Sequence, residues 1–250
     1  MVHSPPIKIF YHIYAIEGEA WKPIVKSQLL KLEYSGLLDE CKQCYFTVVG
    51  PEYKSCIEVI AHHHHPSFEV LEADPEDSSF ERIMLLTIHQ FCEPGENILY
   101  LHSKGVTKPE NPNIEYWRGA MEWFLVKNYK RCLEKLQSFD CVGILGRVEP
   151  LVHFSGNFWW TTSDYYLSLP KYISFDDYFA PEFYLLQNHE NCRFLSLYES
   201  GIIDHYEVSV PPRLFRDPSL PSQEALDLIT QFNLLGNKKK DLKTCRERRK

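Results

Sequence analysis

Residues 96–106 read ENILYLHSKGV, and this stretch decides the fold. Ile98, Leu99, Tyr100 and Leu101 make the short apolar run of a buried strand. The run then ends in an imidazole, a hydroxyl, an ammonium and a glycine: His102, Ser103, Lys104 and Gly105. In open α/β sheets ligands bind outside the carboxyl ends of the strands. A polar cluster at that end, with a glycine that lets backbone come close, marks a candidate ligand site.

Working outward, residues 7–16 (IKIFYHIYAI) read as the first strand. The next segment has Ile24, Val25, Leu29 and Leu32 at helical spacing and breaks at Ser35-Gly36. Residues 44–51 (CYFTVVGP) read as a strand stopped by Gly-Pro, and residues 56–74 as a strand-turn-strand region. Residues 77–92 (DSSFERIMLLTIHQFC) predict a helix capped by Ser78 or Ser79. This alternation predicts a mainly parallel α/β sheet flanked by helices, of nucleotide-binding style. Beyond it, 107–117 reads as a polar Pro/Asn loop and 114–140 as one amphipathic helix. Residues 141–146 follow as a short strand; 153–170 hold a tight turn, an aromatic strand and a helix. A helix around 182–187 and a strand over 193–201 complete a single domain, residues 1–215, divided into a nucleotide-binding half (1–105) and an acceptor half (106–215). A C-terminal helix (216–236) and a disordered basic tail (237–250) come last.

A 250-residue chain, 44% hydrophobic, hides about three quarters of its unfolded surface without staples. Its fifteen Tyr, fifteen Phe and five Trp suit flat amphipathic ligands as well as a core. The final thirteen residues carry eight Lys/Arg against two acids, so a net −7 leaves −13 on the rest. That acidic body argues against nucleic acid as a partner. The tail reads as a solvated end, with weak contact to anionic membrane as the alternative. No stretch reaches the ~20 apolar residues of a membrane span, and the N-terminus lacks a signal-peptide pattern. Eight cysteines without a glycosylation sequon read as reduced thiols in a cytoplasmic setting. The CKQC at 41–44 lacks a second pair at zinc spacing.

Four histidines at 62–65 invite a metal site. Adjacent residues in an extended chain point to alternate faces, so four in a row do not converge on one ion, and a solvated loop is the reading. Lys104 is a compact cation suited to a diphosphate leaving group, and His102 to a phosphate oxygen or sugar hydroxyl. The alternative is a surface lysine after an ordinary strand. Trp117-Arg118 opens the following helix in this reading, where helix amides and a guanidinium favour phosphate. Of Trp159 and Trp160, on a strand after the Ser155-Gly156-Asn157 turn, one indole reads as core and the other as a platform for a pyranose.

Taken in order, YLHSKG, YWRGAMEWFLVKNY, VGILG, HFSGNFWWTTSDYYLSLP and APEFYL resemble a family of GT-A-type glycosyltransferases found in polysaccharide-building gene sets of bacteria and large DNA viruses. The likeness spans about residues 7–210, and a looser one links the His-Ser-Lys strand end to rhamnan-synthesis-type transferases. It implies a GT-A fold, a nucleotide-sugar donor and a glycan acceptor. It also implies a donor site of Tyr11, His12, His102, Ser103, Lys104 and Arg118, and an acceptor side of His153, Asn157, Trp159 and Trp160. Glu182 matches the family's acidic position and would take the acceptor's proton in an inverting transfer, with Lys104 as its catalytic partner. Asp176 and Asp177 are alternatives, or caps for the next helix. Most relatives place an Asp-x-Asp and its divalent ion where this chain has His102-Ser103-Lys104. The expectation is therefore metal-independent transfer, with Lys104 and Arg118 facing the departing diphosphate and with manganese or magnesium as the alternative. EADPED (72–77) fits donor-base recognition or a plain loop, and His205 is a distant candidate ligand. A non-catalytic carbohydrate-binding or scaffold protein is the competing function. A nucleotidyltransferase would want a Gly-rich phosphate loop and paired metal carboxylates, which YHIYAIEGEAW (11–21) does not offer.

Overall fold

Alternation along β1 (Ile7–Tyr14) sets the architecture. Ile7, Ile9, Tyr11 and Ile13 join one buried cluster with Ile24, Val25, Leu29 and Leu32 of α1 (Trp21–Tyr34). Phe10, on the opposite face, joins a second with Met84, Leu85 and Ile88 of α4 (Arg82–Phe91). A strand covered by helices on both faces is the mark of a parallel sheet. The computed structural model describes residues 4–74, 80–216 and 222–237.

The seven-stranded sheet runs in the order β3 (Phe68–Asp74), β2 (Cys41–Val49), β1, β4 (Asn97–His102), β8 (Trp159–Thr162), β5 (Cys141–Gly143), β9 (Phe194–Ser196). Strands β3, β2, β1 and β4 are parallel; β8 runs against both β4 and β5, and β9 is parallel to β5. A small ribbon pairs β6 (Gly146–Arg147) with β7 (His153–Phe154). The architecture is therefore mixed α/β, mainly parallel and flanked by helices, as the alternation predicts. Among the described residues no helix is long and apolar enough to cross a membrane.

Three local expectations are corrected. The segment after β2 is a helix, α3 (Tyr53–His62), before β3, not a strand-turn-strand. Its buried Cys56 and Ile60 are four apart, and two parallel strands need a crossover that a hairpin does not supply. The long helix over 114–140 is two, α5 (Pro112–Glu122) and α6 (Tyr129–Leu136), separated by a π turn at Trp123–Lys127. Carbonyl oxygens of that widened turn are used tertiarily: Leu125 accepts from Trp160 Nε1 at 2.8 Å and Phe124 from Cys132 Sγ at 3.4 Å. The proposed caps Ser78 and Ser79, part of EADPED and the basic tail lie outside the described residues. The helix expected near 182–187 shrinks to α8 (Ala180–Phe183). The C-terminal helix, α10 (Gln223–Asn237), inserts a buried Phe232 against Phe154 and Phe194, at 5.3 and 4.8 Å between ring centroids.

Candidate active site

The alternation that buries Phe10 also places His12 on its face, and β1–β4 register sets His12 beside His102. At this carboxyl edge the backbone is tightly sewn. Ser103 N–H donates to the His12 carbonyl at 3.0 Å, and Ser103 Oγ accepts from Tyr14 N–H at 2.9 Å. Gln28 of α1 donates to the His102 carbonyl at 3.2 Å and accepts the Tyr11 hydroxyl. The chain then turns through Gly105, whose φ of +99° favours glycine and whose Cβ, were there one, would lie 2.9 Å from Ile114.

Above this edge opens a cavity of about 370 Å³, lined among others by His12, His102, Lys104, Glu81, Glu182 and Tyr206. Lys104 lays its ammonium 3.8 Å from the ring centroid of Trp117, a cation on an indole face. Burial pulls Lys104 below the usual lysine range, and the carboxylates of Glu182 and Glu81 oppose that shift.

The SGN turn brackets the site. Gly156 (φ +93°) and Asn157 (φ +55°) both adopt left-handed backbone. Gly156 N–H donates to Glu182 Oε1 at 2.9 Å, while its carbonyl sits 3.1 Å from His102 Nε2. Asn157 Nδ2 donates to Glu81 Oε2 at 2.6 Å, and the Tyr100 hydroxyl donates to the same oxygen at 2.7 Å. One three-residue turn thus orients two carboxylates and an imidazole.

The structure gathers His12, His102, Ser103, Lys104 and Glu182 of the expected residues around the cavity. Others sit elsewhere, for definable reasons. Tyr11 lies on the opposite strand face, fully buried against Gln28, so its ring does not reach the cleft. Arg118 is in the second turn of α5, which starts at Pro112 with Asn111 as its cap, so no helix N-terminus stands at Trp117-Arg118. The Arg118 guanidinium instead donates to the Lys104 carbonyl at 2.6 Å and lies 3.6 Å from Glu122. Trp159 and Trp160 alternate into the two buried clusters and are 1% and 0% exposed, so neither offers a ring to a sugar. Trp159 Nε1 donates to Asn157 Oδ1, and Asn157 itself is buried as a brace. His153 is buried against Phe183. Asp176 and Asp177 are exposed; Asp177 Oδ1 accepts from Phe179 N–H, but α8 follows Phe179 without a side-chain cap, so neither aspartate caps that helix. His205 is buried, stacked on Trp117 at 4.9 Å. His62 ends α3 and His63, His64 and His65 follow it, all half-buried or exposed.

Sequence reasoning missed Glu81, Tyr206, Lys108 and an aromatic lip of Phe80, Tyr178 and Phe179, all of which line the cavity. A signal for Glu81 existed: it follows β3 in a parallel sheet, where the strand-to-helix connection runs along the same carboxyl edge. Tyr206 comes from a loop with no local signal. Arg147 braces that loop, donating to Glu199 Oε2 at 2.5 Å and to the Ile202 carbonyl at 2.6 Å. Both charges are buried, and burial raises the Glu199 carboxyl against the pull of Arg147.

Imidazoles dominate the acid response. Burial holds His102 and His205 down at about 3, and His12 and His89 down at about 4. Folded, these groups stay neutral where the unfolded chain takes up protons below about 6.5. The unfolded state then binds more protons, so stability is full above about 6.5 and is lost as pH falls toward the folded values. The unfolding free energy from urea titration should be flat between pH 7 and 8 and fall steeply from 6.5 to 4.5, by up to about 1.4 kcal/mol per pH unit for each such imidazole. A flat profile through that window would refute the buried neutral state.

Among the described residues no group of three or more His, Cys, Asp or Glu is placed to hold a metal ion, and Glu81 and Glu182 line the cavity together with Lys104.

Residues 10–196 match the sequence pattern of a family described as a domain of unknown function, DUF8361. This chain belongs to that family. No curated protein matches the sequence. Among solved structures, this DUF8361 chain is similar to TarS 1–349 of S. aureus, with 11% identity and a TM-score of 0.45, covering 77% of this chain and 58% of that one. It is also similar to a 4-diphosphocytidyl-2C-methyl-D-erythritol synthase from Anaerococcus prevotii, at 9% identity and a TM-score of 0.43, covering 92% and 99%. A third likeness is to a nucleotide-diphospho-sugar transferase, so described, from Desulfovibrio desulfuricans, at 8% identity and a TM-score of 0.42, covering 91% and 98%.

Proposed function

We propose that this protein is a glycosyltransferase that moves a sugar from a nucleoside-diphosphate sugar to a glycan hydroxyl, with inversion and without a metal ion, in a cytoplasmic setting. One observation carries the reading: an ammonium and two carboxylates share a single cleft at the carboxyl ends of β1 and β4. Lys104 faces the diphosphate, His12 and His102 its surroundings, and Glu182 the acceptor. The acceptor oxygen attacks the anomeric carbon as the bond from that carbon to the diphosphate oxygen breaks. The bonding pair leaves on the diphosphate, stabilised by the Lys104 ammonium. The acceptor proton passes to Glu182, whose Oε1 is already held by Gly156 N–H.

Incubation with a panel of nucleotide sugars tests this directly. At least one donor should be hydrolysed slowly without acceptor, at a rate unchanged by chelator. Dependence on added manganese or magnesium would overturn the metal-free part, and no turnover or binding of any donor would overturn the whole.

A further inference from the structure

The lip of the cleft carries the strongest unexplained feature. Phe80, Tyr178 and Phe179 line the cavity yet remain 42%, 69% and 55% exposed. Tyr172 and Phe175, 65% and 62% exposed, lie on the same connection into α8. The rings meet edge to face, Phe80 with Tyr178 at 5.7 Å and 82°, Tyr178 with Phe179 at 5.1 Å and 84°, so they do not close face to face on one another. The arrangement is fixed from below. Arg82, 2% exposed, donates from Nε to the Ser174 carbonyl at 2.8 Å and from Nη2 to the Asp177 carbonyl at 2.6 Å. Its guanidinium lies 5.2 Å from the Phe175 ring and 5.8 Å from that of Phe80. Phe80 holds a φ of +47°, costly for a bulky residue, at the position directly before Glu81. A buried cation and an unfavourable backbone both maintain aromatic surface in water beside the cleft.

We propose that Phe80, Tyr178 and Phe179 form a stacking platform for a pyranose ring of an uncharged acceptor glycan. The assignment of the ring as acceptor rests on the transferase reading above. A pyranose offers an apolar C–H face to aromatic rings while its rim hydroxyls reach polar groups, here Glu182 and Tyr206. Charge selects the occupant. Asp176 and Asp177, both exposed on the platform's own loop, put negative charge at the lip, a setting that repels anionic bilayers, while Glu81 and Glu182 behind it share the cavity with Lys104 and Lys108. The ring-binding role expected of the tryptophan pair thereby moves to residues that solvent reaches.

The test uses the full chain, the double variant Tyr178→Ala/Phe179→Ala, and Tyr34→Ala, a control on α1 that is 81% exposed. Probes are neutral hexaoses of glucose (β-1,4, α-1,4 and β-1,3), mannose and N-acetylglucosamine, with UDP and GDP for the donor side and phosphatidylglycerol vesicles as a separate arm. At least one hexaose should bind wild type and Tyr34→Ala equally and perturb aromatic ring proton signals of the wild-type protein. The double variant should bind it at least tenfold more weakly, with nucleotide binding and melting temperature unchanged. Failure of every hexaose to bind wild type, equal binding by the double variant, or a variant that loses vesicle capture instead overturns the platform. A hexaose bound through the lip by a protein that binds no nucleotide sinks the transferase reading and leaves the platform standing. Nucleotide binding without any hexaose does the reverse.

Discussion

Glu182→Gln should abolish sugar transfer, lowering kcat by about 10²–10⁴, while UDP or GDP binds as in the wild type. The substitution keeps shape and one oxygen, so Gly156 N–H still has an acceptor and the turn is not released. What disappears is the ability to receive the acceptor's proton as the glycosidic bond forms. Parallel measurement of transfer, donor hydrolysis and nucleotide affinity separates the catalytic reading from a binding module, which would be indifferent to the change. Glu81 is the informative control. Its Oε2 already takes two hydrogen bonds, from Tyr100 and Asn157, so Glu81→Gln disrupts the bracket as well as the charge and should lower stability in addition to rate.

The second large effect is expected at Lys104. Lys104→Met retains the stem against Trp117 and removes only the charge, and donor cleavage should drop by about 10²–10³ in kcat, the usual cost of losing one preorganised stabiliser of a developing anion. Stability should hold or rise, since the ammonium of a half-buried lysine, set against the Trp117 ring, is replaced by an apolar group of similar length. Lys104→Arg should restore the rate only in part, because a planar fork does not reproduce a compact cation on the indole face. A fully active Lys104→Met would end the metal-free mechanism.

Much of the frame was legible because parallel sheets write themselves into sequence. The apolar runs of β1, β2 and β4 mark the sheet, and the polar cluster ending β4 marks the edge at which the cavity opens. Lys104 and Glu182, seventy-eight residues apart, are both expected at the site and both line the cavity. The failures share one cause. Residue type suggests chemistry, but exposure and direction are tertiary properties. The SGNFWW block is distinctive, yet its tryptophans are core by strand alternation and its asparagine is a brace; its role is to hold other side chains rather than to touch a ligand. Conversely, Tyr206 belongs to a connection whose sequence gives no hint of where the fold carries it, while Glu81 is placed by the parallel sheet rather than by its residue type.

The placement of α10 has a consequence for how the domain is assembled. Gly236 packs so closely on the Phe194 carbonyl that a methyl group there would overlap it, and Phe232 wedges between rings contributed by β7 and β9. The chain's farthest described helix is therefore the keystone beneath the half that carries the SGN turn. Without it Phe154 and Phe194 would lack their cover, so the ribbon that leads into the SGN turn depends on a helix far along the chain.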